Sequence, residues 1–147
     1  MGLIRLQPSN LPSGSVLQVV EGTYSTQINT TSTSFVTGEL SASITPSSTS
    51  NKIFISTSLS GYAPTSVFWY ATIYRGATNL GGGTANAIIS HYGGGNTWFQ
   101  SPMMYLDAPN TTSSTTYTVY YKASGGTVYL HHGGMGGSKI YLMEIAG

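Results

Sequence analysis

The side chains able to do acid–base or metal chemistry are few in this chain. Three histidines, His91, His131 and His132, stand with four carboxylates, Glu21, Glu39, Asp107 and Glu144, and no cysteine. A metal site needs convergent ligands held by a second shell. Adjacent His131 and His132 on a strand would point to opposite faces, so within one chain they do not share an ion. An ion on a symmetry axis, held by one histidine from each copy, is the sharper alternative to plain loop or surface histidines. No metal and no cofactor is expected.

Catalytic signatures fare no better. Serine is abundant, but there is no G-x-S-x-G elbow, and Asp107 is the sole aspartate available to a triad. A glycosidase would need two of the four carboxylates as partners, and no spacing marks a pair. The run Gly133-Gly134-Met135-Gly136-Gly137-Ser138-Lys139 resembles a phosphate loop. However, Lys139 does not follow the last glycine directly, and a strand pattern rather than a helix follows. Asn29-Thr30-Thr31 and Asn110-Thr111-Thr112 fit the glycosylation pattern, as chance does in so hydroxyl-rich a chain.

What remains is aromatic and glycine-rich. Glycines cluster at 81–83, 93–95 and 133–137, with His91, Tyr92, Trp98, His131 and His132 nearby. One reading is flexible hairpin tips. The other is loops gathered at one end of a domain, whose rings stack on the sugars of a host surface glycan or pack on a protein partner.

The elements that would position these residues are strands. Helical periodicity is absent, and short β-branched and aromatic runs recur between Gly, Pro, Asn and Ser. Strands are expected at 16–20, 24–28, 39–45, 52–59, 67–75, 85–90, 98–106, 116–123, 127–131 and 139–145. Breaks are expected at 46–51, 61–64, 76–83, 93–96, 108–114, 125–126 and 133–137. Eight to ten strands at this spacing predict an all-β, antiparallel β-sandwich of jelly-roll type.

Alternation assigns the faces. Leu40, Ala42 and Ile44 oppose Glu39, Ser41 and Ser43, and Ile53, Ile55, Thr57 and Leu59 repeat the pattern. Two later strands are aromatic on both faces: Val67, Trp69, Ala71 and Ile73 against Phe68, Tyr70, Thr72 and Tyr74, and Tyr117, Val119 and Tyr121 against Tyr120. A two-sheet domain has one interior, so the second face is expected to meet another subunit or a ligand. Phe68, Tyr70, Tyr74 and Tyr120 are the expected subunit interface of a homo-oligomer.

Composition bounds the partners. Charged residues make up 6% of the 147 residues, the net charge is +1, and 21 Ser and 20 Thr supply hydroxyls instead. Scattered cations argue against nucleic-acid binding, and no apolar run approaches the length of a membrane span. No secretory signal is read at the N-terminus. Residues 1–14, with Pro8 and Pro12 and the apolar Leu3, Ile4, Leu6 and Leu11, read either as a loose terminus or as an extended anchoring arm. Residues 15–147 read as a single domain.

A family resemblance rests on several segments together. They are Gly14-Ser15-Val16-Leu17-Gln18-Val19-Val20, Ser32-Thr33-Ser34-Phe35-Val36, the stretch from Ser43 to Ile53, Asp107-Ala108-Pro109-Asn110-Thr111-Thr112, and Ile140-Tyr141-Leu142-Met143-Glu144-Ile145. These resemble a β-sandwich domain common in virion proteins of tailed phages, marine and cyanobacterial ones among them. The resemblance implies a jelly-roll-like fold, trimerisation, and a place on the virion exterior in a fibre, a tail tip or a capsid decoration. It carries no catalytic residue. Such domains often end longer fibres, whereas this one starts at Met1. The expected protein is therefore a non-enzymatic homotrimer seated on other virion proteins by its arm, assembled in the host cytoplasm. The alternative is a glycan-binding fibre tip.

Overall fold

Alternating apolar and hydroxyl residues leave one wet and one dry side on most strands, and two such sheets close on each other. The computed structural model describes residues 11–131 and 136–147. Eleven strands are present among them: β1 (Val16–Tyr24), β2 (Ile28–Thr30), β3 (Val36–Ile44), β4 (Lys52–Ala63), β5 (Phe68–Arg75), β6 (Thr78–Asn79), β7 (Ile89–Tyr92), β8 (Thr97–Asp107), β9 (Thr115–Ala123), β10 (Val128–Leu130) and β11 (Ser138–Ile145).

All pairings are antiparallel. β4 pairs with β8 along one side, and on the other with β11 and then β10; β11 continues to β1, and β10 to β2. In the second sheet β3 pairs with β9 and β9 with β5, whose far side carries β6 and β7. The order β1-β11-β4-β8 over β3-β9-β5-β7 is the eight-stranded jelly roll, with β2, β10 and β6 as small additions. The expected fold class is observed.

The predicted faces are also observed. Leu40 and Ile44, Ile53, Ile55 and Leu59, Trp69, Ala71 and Ile73, and Tyr117, Val119 and Tyr121 are all buried in one core. Each buried Leu or Ile contributes about 1.5–3 kcal/mol relative to exposure.

Several strand boundaries differ from the sequence expectation. β1 runs unbroken through Gly22 to Tyr24, instead of ending at Val20. A Cβ on Gly22 would lie 2.2 Å from the Ser41 carbonyl, so the close approach of β1 to β3 requires glycine there. The expected strand over 24–28 is divided, because Tyr24 pairs with Ser138 of β11 whereas Ile28 pairs with Leu130 of β10. Gly61, read as a break, lies inside β4, where the Phe99 ring and the Tyr129 carbonyl fill the space of a side chain. The expected strand 85–90 is a turn followed by β7, with Asn86 at φ 51°, and β6 forms within an expected loop.

β8 is an edge strand: no described strand pairs with its other side. That is why Pro102 is tolerated in the middle of an eleven-residue strand.

Candidate functional site

The residues singled out by sequence separate into a buried set and two exposed aromatic clusters. His131 is wholly buried, at φ 59°. Its Nε2 lies 2.5 Å from the Gly38 carbonyl, so Nε2 carries the proton and donates it. The buried Nδ1 has no hydrogen-bond partner among the described residues. The ring packs on Tyr24, with centroids 4.8 Å apart. Burial pushes its pKa below the ordinary 6.5, although Gly38 and Glu39 pull the other way. His131 is thus enclosed in the fold rather than displayed with Tyr92 and Trp98, because the bulged stretch of β3 between Thr37 and Ser41 lays Gly38 over it.

His91 also turns inward. It sits across from Trp69 in the β5–β7 register and stacks on Phe99 at 4.1 Å. No three His, Asp or Glu side chains converge on a metal position among the described residues. His132, Gly133, Gly134 and Met135 lie outside the described residues, as do Leu3, Ile4 and Leu6; Leu11, the last of the arm residues, is half-buried. The other two glycine clusters do not gather at one place. Gly81 lies over Thr72, at the middle of β5, whereas Gly93 packs against Pro64 beyond its start.

Three of the four carboxylates have structural partners. Asp107 accepts both Arg75 Nη1, at 2.9 and 2.8 Å, and the Tyr117 hydroxyl, at 2.7 Å. Buried Glu144 accepts four hydrogen bonds from Gln18, Ser47 and Asn51. Both pair in register with the fully buried Ile53, on opposite sides of it. Glu21 is held by exposed Lys139 at 3.0 Å. Burial, with Glu39 adding to it, pushes the Tyr121 hydroxyl up to about 12.

The first exposed cluster covers the outer face of the β3-β9-β5 sheet. Tyr70 and Tyr74 project from β5, Tyr120 from β9, and Phe68 faces Tyr92 across the β5–β7 pair. Tyr74 stacks on Tyr120 at 4.0 Å, Phe68 on Tyr70 at 5.7 Å, and Phe68 meets Tyr92 at 4.8 Å. Lys122 Nζ lies 4.5 Å from the Phe35 ring centre and 5.3 Å from that of Tyr70, joining the two halves by cation–π contact. The rings therefore cover one another in part. Tyr70, Tyr74 and Tyr120 are half-buried within the single chain, while Phe68 is 39% and Tyr92 50% exposed.

The second cluster lies on the outer face of the other sheet, and sequence reasoning found only one of its members. Trp98 of β8 sits opposite Tyr62 of β4, which in turn sits opposite Tyr129 of β10. The Trp98 and Tyr62 centroids are 4.4 Å apart and those of Tyr62 and Tyr129 5.7 Å. With Gln27 and Asn96 they line a shallow cleft of about 430 Å³. Nothing local in the sequence joins positions 27, 62, 98 and 129; strand register does.

No protein-family model matches this chain, and no curated protein matches it in sequence. Solved structures do. Infectious bursal disease virus, Gx strain, aligns over 99% of this chain at 16% identity and a TM-score of 0.46. T=1 particles derived from the same virus align over 100% at 15% identity and 0.46. Its VP2 subviral particle aligns over 100% at 14% identity and 0.46. This chain spans 41–43% of those chains.

Proposed function

We propose that this chain is a non-enzymatic structural protein of a virion, placed on the exterior of a tailed-phage particle as a capsid decoration or short fibre. The observation that carries this reading is the aromatic band of Tyr92, Phe68, Tyr70, Tyr74 and Tyr120 on an outer sheet face. Interface cores are enriched in aromatic side chains and depleted of charge, and this band has Lys122 as its one cation among the described residues. A patch of exposed rings on a rigid sandwich is a surface for contact.

The occupant is a second and a third copy of the chain, giving a homotrimer whose contact centres on Phe68 and Tyr92, the most exposed rings of the band. The arm, with Leu3, Ile4, Leu6 and Leu11, reaches a neighbouring capsid or tail protein. The resemblance of the strand and turn segments to phage virion domains supports the same assignment. A jelly roll by itself does not, since the fold serves capsids, lectins and cupins alike.

Light scattering on the purified chain tests the reading, with three chains per particle as the expected result. Phe68→Ser combined with Tyr92→Ser should yield monomers with an unchanged β-sheet spectrum. A monomer at about 100 µM in the unsubstituted protein, an affinity too weak for a stable assembly, would sink the proposal. Retention on empty particles then checks placement.

A further inference from the structure

We propose that the row Trp98–Tyr62–Tyr129, with Gln27 and Asn96 at its margin, binds a neutral oligosaccharide. This site lies on the opposite sheet from the aromatic band, and it stands or falls independently of the trimer.

The row is built by register. Tyr62 is the partner of Trp98 on one side and of Tyr129 on the other, so three rings cross three adjacent strands. At about 4.8 Å between strands the row spans about 10 Å, the length of a disaccharide rather than of a single small group. The platform is firm. Gly61, next to Tyr62, has no room for a Cβ between the Phe99 ring and the Tyr129 carbonyl, so β8, β4 and β10 are packed close beneath the rings. Thr97 Oγ1 donates to the Gly95 carbonyl at 2.8 Å, closing the turn that carries Asn96. Rings held on strands of one sheet need little ordering when a ligand arrives.

The lining selects the ligand class. Trp98 is 48% exposed with Tyr62 packed against it, the largest exposed ring surface of the row. Gln27 and Asn96 each offer both donors and acceptors, and the tyrosines add hydroxyls. No ionic side chain lines the cleft among the described residues. A phosphate or carboxylate ligand would find no cation among those residues, and an aliphatic ligand would desolvate two amides without pairing them. A pyranose ring matches on both counts: its C–H face lies on an aromatic ring, and its neutral hydroxyls both donate and accept.

Hexasaccharides of glucose (α- and β-linked), mannose, xylose and N-acetylglucosamine are the probes, with oligogalacturonate as the charged comparison. Indole fluorescence of the intact protein reports Trp98, because Trp69 is buried in the core. At least one neutral oligomer should give a saturable shift with a dissociation constant of about 1 mM or tighter. Saturation-transfer NMR should then show Trp98→Ala weakening that oligomer by about tenfold or more, and Val19→Ala, exposed on β1, leaving it unchanged. If Trp98→Ala fails to fold, Gln27→Ala in an exposed turn decides: weaker binding supports the site, unchanged binding overturns it. The proposal is also overturned by no saturable response to any neutral oligomer at about 10 mM, by binding that survives in folded Trp98→Ala, or by binding of the charged oligomer alone.

Discussion

The Tyr117 hydroxyl donates to Asp107 Oδ2 at 2.7 Å, and both groups are buried at the end of the sandwich where β8 leads into β9. Arg75 closes the arrangement from β5 through the same carboxylate. Burial first, and then the bond to Asp107, drive the Tyr117 hydroxyl far above its ordinary 10.0. Removing the carboxylate leaves a phenol and a guanidinium without their acceptor. Asp107→Ala should therefore cost about 2–4 kcal/mol, less than a fully buried pair because Arg75 is 30% exposed. Tyr117→Phe should cost about 1–2 kcal/mol. Urea unfolding measures both, and equal costs would mean that Asp107 serves Tyr117 alone.

Glu144 predicts a pH dependence. Burial raises its pKa, but the hydrogen bonds from Asn51, Gln18 and Ser47 outweigh it and hold the carboxyl below the ordinary 4.5. A folded value below the unfolded one means stability that is complete above the unfolded value and is lost as pH falls through the folded one. Unfolding free energy should thus be lower at about pH 3 than at about pH 6, and Glu144→Gln should shrink the difference. A pH profile identical in the variant would refute this account of the carboxyl.

His131 acts in the same direction in a higher window. Its pKa is lowered below 6.5, so between the two values the unfolded chain binds a proton that the folded chain does not. Stability is complete above about 6.5 and falls with pH below it. Protonation would place a second N–H at Nδ1, where none of the described residues accepts it. Nitrogen-15 NMR should find the neutral Nε2–H tautomer at about pH 7, with the ring gaining its proton only below the ordinary histidine range. An imidazolium signal at that pH would contradict the assignment.

Gly22 tests the close approach of β1 and β3. A methyl there would lie 2.2 Å from the backbone carbonyl of Ser41, and backbone yields less readily than a side chain. Gly22→Ala should destabilise by about 1–3 kcal/mol, although its effect on strand propensity alone is favourable. A thermal midpoint at or above that of the unsubstituted protein would show that the two strands can separate at that point without cost.

Much of the candidate chemistry was illegible along the chain for a physical reason. Trp98 could be picked out as an aromatic beside a glycine turn, but its neighbours Tyr62, Tyr129 and Gln27 come from three other segments. His131 carried the same local signal as Trp98, being next to a glycine run, and the fold encloses it. Pro102 was a usable clue to an edge strand, since only the unpaired side of a sheet tolerates the missing N–H.

The sequence by itself determined the class of fold and the inward faces. A period of two is a local property, and Leu40, Ala42 and Ile44, or Tyr117, Val119 and Tyr121, can be buried together only on a strand. Tertiary structure alone decided which glycines lie inside strands, which histidine is enclosed, and which rings meet. Each of those depends on what a distant segment brings across from the next strand or the facing sheet, and strand pairing couples residues far apart in the chain.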